Sequence, residues 1–389
     1  STLAQDGADA FTATLRQTSG STGQIATLIM GADAAWGESP GPAKPNAIPE
    51  RPKANETAIA NVAKSLEAGK KTALLLEHHA SEQPAMFFAS KIASKTGCKL
   101  FNGTFPARVD GGPGRVLIER LPYFPEQVLN ALEGIENLVL VGGEVPASFF
   151  AYKNTPGQLI PKGCQVTRLT SIEEDATDAL ERLADRLGAT NSAVSYFEKK
   201  EITKPTGELN TKTIIQSLAA TLPENVVVCT DSGGGNAAHS LCQNTTQNSW
   251  LSLTGGAIGQ GGPCSVGAAL ACPDQRVLAM LGDGGAAYTI QALWTQAREN
   301  LDVTTIIFAN NSYNILNVEY GRLGVTDVGE IAASLFDIGN PSIDWVALAR
   351  GFGVEGGKAN TAEELCTLLE KSYRTPGPFI IQANGELKR

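Results

Sequence analysis

Short apolar runs of four to seven residues alternate with amphipathic helical stretches, and this rhythm occurs twice in the chain. The first passage starts at Asn55. Helix-patterned "NETAIANVAKSLEAG" leads to "KTALLLE", "PAMFFASKIASKTG" to "CKLFNG", and "PEQVLNALEG" to "NLVLVGG"; "CQVTRLT" then precedes "EEDATDALERLADRLG". Runs without polar alternation suit strands covered on both faces, and helices between them make those strands parallel. The rhythm restarts at Glu208 with "TIIQSLAATLP" and "NVVVCTDSG", and then "TGGAIGQGG" opens "PCSVGAALAC". "RVLAMLG", helix "AYTIQALWTQAREN", strand "VTTIIFANN", helices "DWVALARGFG" and "AEELCTLLEKSYR" and strand "PFIIQAN" complete it. The predicted fold class is α/β: two successive doubly wound, mostly parallel sheets, preceded by a remnant of a third.

The expected organisation is an end-piece over 1–38 (helix "DGADAFTATLRQ", strand "QIATLIM", a loop around Asp33 and Trp36), a linker over 39–54 with five prolines, and a central α/β domain over 55–190. A second linker spans 191–207, and a second α/β domain spans 208–389. A chain of 389 residues exceeds one ordinary core, which agrees with this division.

A net charge of -9 with no compensating basic cluster argues against nucleic acid as a partner. Bound phosphates would then rest on backbone amides or a metal rather than on lysines. The seven cysteines form no CxxC pair and read as free thiols of a reducing compartment, so a cytoplasmic or organelle-matrix location is expected. The three histidines lack a metal-ligand spacing, and no apolar run reaches the roughly 18–20 residues needed to cross a bilayer.

In an open parallel sheet, ligands collect where strand carboxyl ends turn into helices. "MLGDGGAAYTI" delivers Asp283 to such an edge, with Gly284 and Gly285 starting the turn. Those glycines and the helix amides suit a phosphate, whereas a carboxylate beside them repels one. A hard divalent cation between the two removes the conflict, which makes Asp283 a magnesium or calcium ligand. Residues 285–309 suffice for one helix and one returning strand, so Asn310 should reach the same edge about 4.8 Å away. The Asn310 amide oxygen and the Ser312 carbonyl would complete the protein's share of an octahedron. The bland reading of Asp283 is a helix N-cap stabilising by about 1 kcal/mol.

"GDG", twenty-five residues and then "NN" resembles the motif of thiamine diphosphate (ThDP) enzymes. The stretch from "SLTGGAIGQGG" through "NNSYNIL" resembles the diphosphate-binding domain of the acetolactate synthase, benzoylformate decarboxylase and pyruvate decarboxylase group. "YTIQALWTQAREN" and "VGGEVPASFFAYKNTPGQLIP" are similar to its acetolactate synthase large subunit-like branch. The resemblance implies that Asp283, Asn310 and the Ser312 carbonyl bind magnesium, and that Gly284 and Gly285 hold the diphosphate with Tyr313 nearby. It implies further that Gly256 and Ala257 line the thiamine, with Ile258 as the wedge beneath the bent cofactor. At "DSGGG" a hydroxyl that the group often carries is replaced by Gly233.

The implied activity is decarboxylation of a small 2-oxo acid, with carboligation or simple protonation as open outcomes. The glutamate that activates the cofactor belongs to a pyrimidine domain, of which 1–38 matches only the close. The expectation is therefore a portion of a longer enzyme, a partner subunit bearing that domain, or, alternatively, a non-catalytic scaffold on a degenerate fold. Ser1 in place of a methionine leads to the same expectation of material upstream. A homo-oligomer is expected. FAD is not, since the central domain shows no glycine fingerprint. Asn311 reads as structural, His78 and His79 as capping or exposed, and "FFAYKN" as aromatic loop packing; His239 is left between core and substrate.

Overall fold

The computed structural model describes residues 3–15, 27–38, 41–44, 46–47, 50–232 and 234–385. In chain order its amino-terminal elements are α1 (Leu3–Leu15), α2 (Ala32–Trp36), α3 (Glu56–Glu67), β1 (Thr72–Leu76), α4 (Gln83–Thr96), β2 (Lys99–Asn102), β3 (Arg108–Gly111), β4 (Glu119–Arg120), α5 (Pro125–Ala131), β5 (Asn137–Val141), β6 (Gln165–Thr170) and α6 (Ala176–Arg186). Then come α7 (Thr211–Thr221), β7 (Val226–Thr230), α8 (Gly235–Cys242), β8 (Asn248–Leu251), α9 (Gly261–Ala271), β9 (Val277–Gly282), α10 (Asp283–Thr289) and α11 (Ala292–Arg298). The last are β10 (Val303–Ala309), α12 (Asn314–Arg322), α13 (Glu330–Ser334), α14 (Trp345–Gly351), β11 (Glu355–Ala359), α15 (Ala362–Arg374) and β12 (Phe379–Asn384). The expected α/β class is what the chain adopts.

Two compact units result: residues 1–103, 118–147 and 158–194 form one, and 104–117, 148–157 and 195–389 the other. The first holds a five-stranded sheet in the order β4-β2-β1-β5-β6, parallel throughout. Every residue of β1 and β5 is buried, as expected of central strands covered on both faces. Asn55 caps α3 and Asp175 caps α6, each accepting from a backbone N–H of the first turn. His79 accepts a hydrogen bond from Ala176 N at 3.0 Å through Nε2, and burial and then the Arg51 charge depress its pKa to about 4.

The second unit holds seven strands in the order β11-β12-β10-β9-β7-β8-β3, parallel except for β3, which runs antiparallel to β8. Because side chains alternate along a strand, β9 feeds two cores. Leu278 and Met280 join Trp250, Ile306, Phe308 and Ile381 on one face. Val277, Ala279 and Leu281 join Ile307, Trp345 and Ile380 on the other. Among the described residues no helix is long and apolar enough to cross a membrane.

Several local expectations change. Residues 27–30 of the expected strand "QIATLIM" carry no strand, and 24–26 lie outside the described residues. The helix expected over 287–300 is two helices, interrupted where Leu293 N and Trp294 N bond to the carbonyls of Ile290 and Gln291, three residues back. Strand β3 comes from a stretch without an apolar run, Arg108–Gly111, and completes the edge of the second sheet by pairing with Asn248–Leu251.

Candidate functional site

β9 and β10 are neighbours in register, Gly282 opposite Phe308, so the residues just beyond each strand meet at one carboxyl edge. Asp283 opens α10 directly after β9 and is 2% exposed. Its Oδ1 accepts from Gly284 N at 2.9 Å and its Oδ2 from Asn311 N at 2.5 Å. Burial pushes its carboxyl up, and the Asn311 and Gly284 amides pull it back. Asn311, whose N–H meets that carboxylate, stands in the left-handed region at φ 54.

Asn310 Oδ1 accepts from Ser312 N at 3.0 Å in a tight side-chain turn. Ser312 bridges Asp337, while Asn311 O and Tyr313 N bond to Ile338 N and Phe336 O. In an extended bridge, that pattern turns the N–H and carbonyl of Ser312 away from Asp337, and the N–H meets Asn310 Oδ1. Asp283, Asn310 and Ser312 are thus brought together around one turn. Only one of the three is an acid, and among the described residues no group of three or more His, Cys, Asp or Glu side chains is placed to hold a metal ion.

Tyr313 lies against the GDG turn. A Cβ on Gly284 would stand 2.5 and 2.6 Å from Cδ1 and Cε1 of its ring, so any side chain there would have to push the ring aside. A Cβ on Gly285 would approach Asp231 Oδ1 at 3.3 Å and Ile258 Cγ2 at 3.4 Å. Ile258 therefore sits beside Gly285 while remaining half exposed. Gly256 (φ 69) and Ala257 lie in the exposed loop leading to it, and nothing stands within 4 Å of a Cβ on Gly256. Gly233 lies outside the described residues.

His239 is 1% exposed on α8, its ring edge-on to Trp250 at 5.4 Å and hydrogen-bonded to Gln243. It is a core residue, not a substrate contact. Tyr152 of "FFAYKN" donates its hydroxyl to Glu319 on α12 at 2.7 Å, and Arg322 covers its ring. The site residue absent from the sequence reading is Asp231, which follows β7 at the same edge and accepts from Gly259 N and Gly261 N. Its signal was available: an acid ending an apolar strand, as Asp283 does.

Residues 232–383 match the family model of the thiamine pyrophosphate enzyme carboxy-terminal TPP binding domain. The chain is 39% identical over 378 residues to the acetolactate synthase large subunit-like protein IlvX of Mycobacterium tuberculosis, covering 96% of this chain and 72% of that one. The chain belongs to the thiamine diphosphate-dependent enzyme family. Within that family it is 27% identical over 310 residues to benzoylformate decarboxylase of Pseudomonas aeruginosa, spanning 76% of this chain and 54% of the relative. Its fold matches the ThDP-dependent 4-hydroxybenzoylformate decarboxylase of Rhodococcus jostii with a TM-score of 0.73 at 23% identity, over 88% of this chain and 66% of that structure. The TPP binding domain is the part of the chain that holds the Asp283 edge.

Proposed function

We propose that this ThDP-family chain holds the diphosphate of ThDP through magnesium and acts on a small 2-oxo acid. The observation that carries the proposal is the meeting of Asp283, Asn310 and Ser312 at adjoining strand ends inside the matched domain. Three oxygen donors of different kinds with one negative charge suit magnesium, which takes its remaining ligands from phosphate and water. Each of these oxygens has two lone pairs, so those now accepting N–H bonds keep capacity for a cation. Gly284 is buried under the Tyr313 ring with its N–H on Asp283 Oδ1, and the partly exposed Gly285 adds no side chain where the diphosphate would lie against the start of α10. Ile258, beside Gly285, would support the thiamine, and Gly256 and Ala257 would border it.

Bound ThDP supplies the electron sink for cleaving the carboxylate from a 2-oxo acid. This chain's residues neutralise and orient the diphosphate; the pyrimidine side belongs to a segment or partner subunit bearing that domain, in a homo-oligomer or with a second chain. Decarboxylation and carboligation both remain consistent with relatives that include an acetolactate synthase large subunit-like protein and a benzoylformate decarboxylase. Family membership does not favour the scaffold alternative.

Flavin is not part of the proposal. In the first unit Glu77 follows β1, which lies between β2 and β5, the switch point where a nucleotide would enter. Its half-buried carboxylate, raised in pKa chiefly by desolvation, is packed so closely by Gly103 and Gly143 that neither could bear a side chain, and it accepts from Glu144 N at 3.2 Å. An acid there opposes phosphates.

Calorimetric titration with ThDP tests the reading. Uptake should require magnesium and disappear in Asp283→Asn; magnesium-independent uptake, or undiminished uptake by Asp283→Asn, would refute it. Product analysis with pyruvate and benzoylformate then separates ligation from decarboxylation.

A further inference from the structure

The loop Thr254–Gln260 contains three glycines with positive φ, Gly255 (61), Gly256 (69) and Gly259 (95), and its residues 254–258 are exposed. Such a loop has little conformational preference of its own, so ordering it costs backbone entropy. Yet it carries Ile258, which stands beside Gly285. Something must hold it there.

Helix α9 begins at Gly261, and its N-cap residue, Gln260, gives it no side-chain hydrogen bond. The first N–H groups of a helix need acceptors from outside. Asp231, thirty residues earlier in sequence, provides one: its Oδ2 accepts from Gly261 N at 3.2 Å and from Gly259 N at 3.0 Å. Thr289 Oγ1 donates to Gly259 O at 2.5 Å, so both the N–H and the carbonyl of Gly259 are tied down. A Cβ on Gly261 would stand 2.5 Å from Leu281 Cδ2 and 3.2 Å from Asp231 Cγ, which keeps this contact closed to larger residues. The other carboxylate oxygen, Oδ1, is buried without a hydrogen-bond partner and faces Gly285. Asp231 N in turn donates to Met280 O at 3.3 Å, seating the residue on β9 three residues before Asp283.

We propose that Asp231 is a positioning residue: one carboxylate oxygen latches the glycine loop to the ends of β7 and β9 and thereby sets Ile258 over the GDG turn. The latch exists in the ligand-free chain, whereas its use for ThDP rests on the proposed cofactor reading. It needs an acceptor at Oδ2, not the second oxygen, so an asparagine can serve it. Removing the acceptor frees the Gly259 and Gly261 amides and the loop with them.

Hydrogen exchange on the ligand-free chain reads the latch directly, and ThDP titration in magnesium reads its consequence. In Asp231→Ala, and in Asp231→Leu, which keeps the volume, exchange across 254–262 should quicken about tenfold or more, the loss of a charge-assisted bond pair. ThDP affinity should fall by at least about tenfold. Asp231→Asn should keep both within about threefold of wild type, and the exchange of β9 and β10 should be unchanged in all three. Unaltered loop exchange in the alanine and leucine variants, or an asparagine variant as loose as alanine, would overturn the latch. Failure of the wild type to take up ThDP would count against the cofactor reading alone, since the exchange data judge the latch without it.

Discussion

Substituting Gly284 by alanine sets two local effects of opposite sign against each other. Gly284 lies inside α10, outside the left-handed region, so alanine there gains about 1 kcal/mol in helix propensity. Against that, the new methyl would stand 2.5 and 2.6 Å from the Tyr313 ring, where ordinary contact begins at 3.4 Å. The ring must retreat by about 0.8–0.9 Å, and overpacking of this kind costs about 1–3 kcal/mol. Taking about 2 for the clash, Gly284→Ala should destabilise the ligand-free chain by about 1 kcal/mol. In a Tyr313→Ala background the clash is gone, and the same change should stabilise by about 1 kcal/mol, a coupling of about 2. Urea unfolding followed by the fluorescence of buried Trp250 and Trp345 measures all four corners of this cycle. An equal effect of Gly284→Ala in both backgrounds would refute the claim that Tyr313 is what keeps position 284 a glycine. Because Tyr313 N is bonded to Phe336 O next to the Ser312 turn, ring displacement should also lower magnesium-dependent ThDP affinity by more than about tenfold.

Three further outcomes are expected. Asn310→Ala should weaken magnesium-dependent ThDP uptake and also release Ser312 N, visible as faster amide exchange at 312 in the ligand-free chain. His79, neutral in the fold with a pKa of about 4 against 6.5 unperturbed, lets the unfolded chain take the proton first, so stability falls as pH drops from about 6.5 towards 4; at pH 5 the loss is about 2 kcal/mol. The slope should flatten in His79→Gln, which can still accept from Ala176 N, and an unchanged slope would show that another group sets it. His239→Ala should cost about 2–4 kcal/mol of unfolding free energy through the cavity left against Trp250 while leaving ThDP affinity unaltered.

What the sequence alone determined is what depends on near neighbours in the chain. The alternation of covered strands and helices specified two mostly parallel sheets, and the twenty-five residues between the GDG and NN turns brought Asp283 and Asn310 to one edge, because helical residues and a returning strand consume a predictable length even where the helix is broken in two. Tertiary structure decided what depends on distant partners. Arg108–Gly111 has no apolar run to announce a strand; it becomes one because the β8 edge 140 residues later offers it hydrogen bonds. Asp231 reads as the start of a glycine-rich turn until the fold brings the amides of Gly259 and Gly261 to its carboxylate. Whether His239 faced a ligand or the core was open in its helix pattern, and Trp250 closed it. Periodicity reports which face of an element is buried, whereas the identity of the atom met there comes from chain segments whose separation no local pattern records.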